Sequence, residues 1–200
     1  MKKIKLIFIM LSFLVASIAI AAENPVPMLQ NVANNIIDNL KQHKSELKTN
    51  QAIIQQAVRS NLLPHVDVAG MARSVLGRSA WIKATSAEKQ QFASAFTDLV
   101  IRTYASPLSK YTDETVSVSP VKAMPTGRFM RVSSTIIRSQ GKSIPLTYSL
   151  VNKNGQWKIY DLSVEGVSLL QSFRSQFANA LSHSSIKEVI AQMQSPKQAG

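Results

Sequence analysis

The groups best suited to covalent chemistry in this sequence are one carboxylate and two phenols. Asp161 with Tyr148 or Tyr104 would pair a general base with an oxyanion donor if the fold brought them into one pocket, as isomerase-type sites do. The plainer role for Asp161 is to fix a turn or to pair with a basic side chain. Elsewhere the spacing argues against catalysis. His43 lies in the polar run "KQHKSELKTN", His65 follows Pro64 and His183 falls late in a helical pattern, so none belongs to a HExxH motif. With Cys 0, no Cys/His cluster can form to bind zinc. There is no G-x-S-x-G elbow, and a chain with Gly 7 leaves little room for a phosphate-cradling loop. Asp113 and Glu114 are neighbours in a loop, while Asp161 and Glu165 bracket the end of a strand. The expectation is no catalytic residue, no metal ligand and no cofactor.

The elements that would position these groups begin after an export signal. Lys2, Lys3 and Lys5 precede an apolar run from Leu6 to Ile20, and Ala19-Ile20-Ala21 fits a small-x-small cleavage site. Residues 1–22 therefore read as a cleavable secretory signal, 23–194 as a single domain and 195–200 as a flexible tail. Lacking cysteine, the exported domain has to rest on a hydrophobic core rather than on disulfides. The sequence carries 23 Lys+Arg against 11 Asp+Glu; without the three signal lysines, 20 minus 11 leaves +9. That surplus favours anionic partners, and export makes a membrane surface or an acidic protein patch a better target than nucleic acid. A basic polyanion-binding module is one alternative function, and an isomerase-like pocket enzyme is another.

Apolar residues recur at helical spacing from Leu29 to Leu40, and again from Ile53 to Leu62, where Pro64 stops the pattern. A third helix fits "DVAGMARSVLG", with Asp67 as N-cap and Gly77 as the closing residue. Thr85-Ser86-Ala87-Glu88 is a capping box, after which Phe92, Phe96, Leu99, Val100 and Tyr104 share a face until Pro107 interrupts or kinks the helix. After Tyr111 the period changes. "ETVSVSPV", "GRFMRVSSTIIRS", "KSIPLTYSLVN" and "QWKIYDLSV" alternate like strands, with a hairpin at Asn154-Gly155. From Glu165 the chain is helical again, and "SSIKEVIAQMQ" adds a last short helix. Helices, then strands, then helices imply an α+β fold: a curved antiparallel sheet of about four to five strands wrapped by helices from both ends of the chain.

Two blocks carry a family resemblance. "LLPHVDVAGMARSVLGRSAWIKATSAEKQQFASAFTDLVIRTYASPLSKY" and "WKIYDLSVEGVSLLQSFRSQF" together resemble the signatures of the MlaC family, also called the toluene-tolerance auxiliary family, in the same order and separation. The chain departs from the commoner pattern at "GRSAWIKAT", where Ser79 and Ala80 precede Trp81 in place of two adjacent aromatics. The resemblance implies a periplasmic carrier that holds phospholipid tails inside a helix-wrapped sheet and performs no covalent chemistry. It implies partners as well: an inner-membrane Mla ABC transporter, met through its substrate-binding MCE subunit, and an outer-membrane Mla lipoprotein–porin complex.

An apolar ligand needs an enclosed site, because each methylene buried is worth roughly 0.8 kcal/mol. The expected lining is Leu76, Leu99, Tyr104 and Leu108 from helices, Val132, Ile136, Leu146, Tyr148 and Val164 from strands, and Val167, Leu170 and Phe173 as a roof. Gly166 is expected to act as a lid hinge or a fixed corner, and Arg174 to make a salt bridge or a headgroup contact. Trp81 and Trp157 are assigned to core packing.

Overall fold

The computed structural model describes residues 23–195. The proposed signal 1–22 lies outside the described residues, as does the tail beyond Ser195.

Helix α1 (Val26–Gln42) starts behind Pro25 and turns Leu29, Val32, Ala33 and Leu40 inward. Asn50 caps α2 (Gln51–Asn61) by accepting from the Ala52 amide. Pro64 then allows only a 3-10 turn over Leu63–His65. Helix α3 (Val68–Lys83) is capped by Asp67, which accepts from the Gly70 amide at 3.0 Å. The expectation that α3 closes at Gly77 is corrected. Gly77 adopts φ 76 and ψ 161, which is a region open essentially to glycine alone, and the chain then resumes helical geometry as far as Lys83. The residue is thus a kink between two helical segments. Helix α4 (Ser86–Leu108) begins with the Thr85–Glu88 capping box and accommodates Pro107 in its last turn.

The strands β1 (Thr115–Val118), β2 (Phe129–Ile137), β3 (Ile144–Lys153), β4 (Gln156–Val164) and β5 (Val167–Ser168) form one antiparallel sheet in sequential order. Asn154 and Gly155 make the two-residue hairpin between β3 and β4, both with positive φ. Register then assigns the faces. Met130, Val132, Leu146, Tyr148 and Leu150 fall on one face and are buried. Along β4 the parity slips, since Ser149 pairs with Asp161 while Leu150 pairs with Ile159, leaving Tyr160 as the extra residue of a bulge. This slip lets both Ile159 and Leu162 face the same neighbours as Leu150 and Tyr148.

Both sheet edges are covered. At β1, the Gln30 side chain of α1 donates to the Val116 carbonyl at 2.8 Å and accepts from the Val118 amide at 3.0 Å, standing in for a missing strand. At β4, a parallel bridge from Val66 to Ile159 and the Asp67 amide donating to the Ile159 carbonyl cover the edge that short β5 leaves free. Helices α5 (Leu169–His183) and α6 (Ile186–Gln194) finish the wrap.

The largest apolar cluster joins α3, α4, α5 and α6 through residues such as Phe92, Phe96, Phe177, Val189 and Met193. A second joins Leu29 to the sheet face through Val132, Leu150 and Trp157, whose indole donates to the Glu23 carbonyl. The third, around Leu40, Leu47, Ile54, Ala105 and Tyr111, ties α1 and α2 to the end of α4. Helices α1, α3 and α5 seat on the sheet, whereas α4 packs mainly on other helices.

Candidate functional site

Between α4 and the sheet lies a cavity of about 110 Å³. Its deep wall is buried: Phe96 and Ile101 from α4, Phe173 from α5, and Tyr148 and Ile159 from the sheet. Partly exposed apolar residues line the rest. These are Val58 and Leu62 with the 3-10 turn (Leu63, Val66), then Val68 and Met71 at the start of α3, and opposite them Leu162 and Leu169. Apolar side chains left part-open to water along one rim mark the mouth of the cavity.

Two polar groups of the wall, Thr97 and Asp161, are bonded to the protein itself. Thr97 donates to the Ala93 carbonyl of its own helix at 2.8 Å. Asp161, set at the β4 bulge and only 8% exposed, accepts from the Ser168 hydroxyl at 2.6 Å and from the Leu170 amide at 3.0 Å. Ser168 in turn caps α5 by accepting from the Gln171 amide at 3.0 Å. The Asp161 carboxylate therefore closes the N-terminus of α5, where backbone amides and the helix dipole favour negative charge. Burial holds the Tyr148 phenol above its ordinary pKa, so it stays neutral at physiological pH. Such a wall offers a ligand apolar contact and no free charge. Both Asp161 oxygens accept bonds at the start of α5, the turn-fixing role that is the plainer one for this residue.

The corner that joins β4 to α5 is tightly held. Glu165 (φ 51) and Gly166 (φ 85) form a two-residue turn whose positive φ values suit the strand twist, with Val164 and Val167 paired across it. The Glu165 amide donates to the Pro145 carbonyl at 2.9 Å, tying the turn to β3. Gly166 thus sits in a turn whose ends pair β4 with β5 and whose Glu165 is bonded to β3.

Of the residues named from the sequence as lining, Tyr148 and Phe173 lie on the cavity wall. The structure places the others elsewhere. Leu76 and Leu99 are packed in the helical core, with Leu170 and Tyr104 against its edge. The Tyr104 ring meets Phe173 edge-on at 6.4 Å between centroids. Leu108 packs with the third cluster. Val132 belongs to the sheet cluster around Leu150, while Leu146 and half-buried Ile136 and Val164 lie toward the other end of the same face. Val167 is 60% exposed and does not roof the cavity. Among the tryptophans, Trp157 is buried, whereas Trp81 is half-buried beneath Lys89, whose ammonium sits 5.3 Å from the ring centre.

The mouth residues Leu62, Leu63 and Val66 were missed. Leu62 closes the helical pattern of α2, while Leu63 and Val66 are apolar residues flanking Pro64, where that pattern stops. Among the described residues, no group of three or more metal-ligating side chains comes together. No helix among them is long and apolar enough to cross a membrane.

Comparison with known proteins agrees with this architecture. Residues 30–195 match the family model described as MlaC protein. The intermembrane phospholipid transport system binding protein MlaC of Haemophilus influenzae is 30% identical over 193 residues, spanning 94% of this chain and 89% of its own. A toluene tolerance protein of Pseudomonas putida is 29% identical over 164 residues, 82% of this chain and 76% of its own. The phospholipid-binding protein of Ralstonia solanacearum, solved in complex with a phospholipid, shares the fold: TM-score 0.77 at 24% identity, covering 86% of this chain and 95% of that one. A match that runs through both signature blocks and nearly the whole described chain leaves one assignment, namely that this protein belongs to the MlaC family.

Proposed function

We propose that this protein is a periplasmic phospholipid carrier, moving lipid between the outer membrane and an inner-membrane ABC transporter and so maintaining outer-membrane lipid asymmetry. The observation that carries the reading is the cavity: an apolar chamber between sheet and helices whose one lining carboxylate, Asp161, is bonded to Ser168 and the Leu170 amide at the start of α5. The phospholipid-related names of the Haemophilus and Ralstonia proteins support it. Docking to the MCE subunit of the transporter and to an outer-membrane lipoprotein–porin complex belongs to the same proposal.

The cavity's size adds a mechanical requirement. An apolar cavity of about 150 Å³ admits benzene, and ligand pockets typically run to about 300–1,000 Å³. At about 110 Å³ this chamber is the size of one ring, so an acyl chain enters only as the walls separate. The wall that gives way is α4, which packs mainly on other helices, whereas the rim is held to β4 by the Val66 bridge and the Asp67 amide bond to the Ile159 carbonyl. Tails are held by burial at roughly 0.8 kcal/mol per methylene, a non-directional force that discriminates weakly between chain lengths.

Native mass spectrometry of the protein purified without detergent, with lipid extraction, tests the carrier reading. Stoichiometric diacyl phospholipid is the expected result. Leu162→Glu, which sets a charge in the cavity wall, is expected to abolish retention while circular dichroism stays native. Val167→Glu, on the exposed side of the corner, is expected to retain lipid. A clean apo mass for the native protein after incubation with phospholipid vesicles would overturn the proposal.

A further inference from the structure

The kink at Gly77 opens a second concavity, on a different part of the helical layer and sharing no lining residue with the lipid cavity. It is a groove of about 550 Å³ between the second segment of α3 and the end of α5, closed at one side by the α5–α6 junction. Its accessible apolar surface is Ala80, Ala178, Leu181 and Ile186, backed by Val75 and Leu76, which are buried in the helical core. Ser79 and Ala80, the small residues following the kink, line the same groove.

Its charge is one-sided. Arg78, Lys83 and Arg174 line the groove, all three exposed, and no carboxylate is among the lining residues. The ion pairs among the described residues are Arg59–Asp98, Arg138–Glu114 and Lys153–Asp67, so none of these three cations has an acidic partner within 4.0 Å. Three cations around an apolar floor, walled by two helices, have the recognition features of a helix-in-groove site, in which apolar anchors fill the floor and side chains at the rim choose the partner by charge.

We infer that this groove docks an acidic amphipathic helix of a partner protein, with apolar side chains seated on Ala80, Ala178, Leu181 and Ile186 and carboxylates facing Arg78, Lys83 and Arg174. A second copy of this chain is a poor occupant, because each copy brings the same cationic excess. A lone phosphate or headgroup would use the cations but leave the apolar floor without purpose.

The test uses fluorescence anisotropy with two synthetic helical peptides that share a leucine face at i, i+3, i+4 and i+7. One is flanked by glutamates and its mirror by lysines. Inorganic phosphate and vesicles of phosphatidylglycerol serve as competing probes. The acidic peptide is expected to bind the native protein, with affinity falling as salt is added. The combined Arg78→Glu, Lys83→Glu and Arg174→Glu variant is expected to lose about tenfold or more of that affinity, and Leu181→Asp to lose binding independently. Lys142→Glu, a charge reversal on the β2–β3 turn, is expected to bind as the native protein does. All variants should keep their circular dichroism and their bound phospholipid, which separates this result from any failure of the cavity. Equal binding of the two peptides, full binding by the triple variant, or displacement of the acidic peptide by phosphate or vesicles alone would overturn the inference.

Discussion

At the scale of single residues, Asp161 and Gly77 have roles that sequence alone leaves ambiguous. Asp161 is the kind of buried carboxylate that invites a catalytic reading, yet both its oxygens serve the start of α5. Asp161→Ala is expected to cost about 1–3 kcal/mol, since it strands the Leu170 amide and the Ser168 hydroxyl. For a domain of this size that corresponds to a fall of about 2–4 °C in Tm per kcal/mol, readable by calorimetry. Gly77→Ala isolates backbone strain, because an added Cβ would meet nothing within 4 Å while φ stays at +76. A loss of about 1–3 kcal/mol is expected in urea unfolding, and an unchanged midpoint would contradict the strained geometry. Asp67 was legible as an N-cap from its place before an apolar helical pattern. The β4 bulge was not, since a single slipped residue leaves the alternation of a strand almost untouched.

Among the elements, the helix starts are the most legible features and also the most sensitive to acid. Glu88 and Glu188 close capping boxes at α4 and α6, and hydrogen bonds from Thr85 and Ser185, backbone first, hold both carboxyls below their ordinary pKa of 4.5. A depressed carboxyl stabilises the fold above its unfolded pKa and loses that contribution as pH falls through its folded value. His65, in the 3-10 turn at the cavity mouth, is also lowered, first by burial and then by the positive charge of Lys158. The unfolded chain therefore takes up its proton first, and this contribution is lost as pH falls below about 6.5. Acidification should thus act in two stages. Hydrogen exchange corrected for intrinsic rates is expected to show faster opening at residues 62–66 below pH 6.5, and faster opening of the first turns of α4 and α6 only below about pH 4.5. Simultaneous loss at all three places would contradict this order. Thr85→Ala, which removes one capping bond, is expected to cost about 0.5–2 kcal/mol.

For the whole molecule, the mismatch between a ring-sized chamber and the phospholipid proposed as its ligand means that binding and opening are one equilibrium. A ligand that binds only the folded chain raises its stability by mass action, about 2.7 kcal/mol at a hundredfold excess over Kd. Protein stripped of lipid should therefore melt several degrees below the loaded form, and added phospholipid should restore the difference. Equal melting temperatures would place the lipid outside the folded core. The sheet lets the opposite wall move, because its edges are sealed by Gln30 at β1 and by the Val66 bridge at β4, while α4 rests mainly on helices.

Local signals determined most of the elements, since helical periodicity, capping boxes, strand alternation and an Asn-Gly hairpin are properties of neighbouring residues; the helical segment beyond Gly77 and the short β5, where the sequence reads as helix from Glu165, were not among them. Only the tertiary structure decided which apolar faces border a void. Leu99 and Val100 are adjacent on α4 and equally apolar, yet Leu99 is packed in the helical core while Val100 meets the cavity. Burial is rewarded in the same way whether the neighbour is a side chain or a ligand, so hydrophobic pattern alone cannot separate a core from a container.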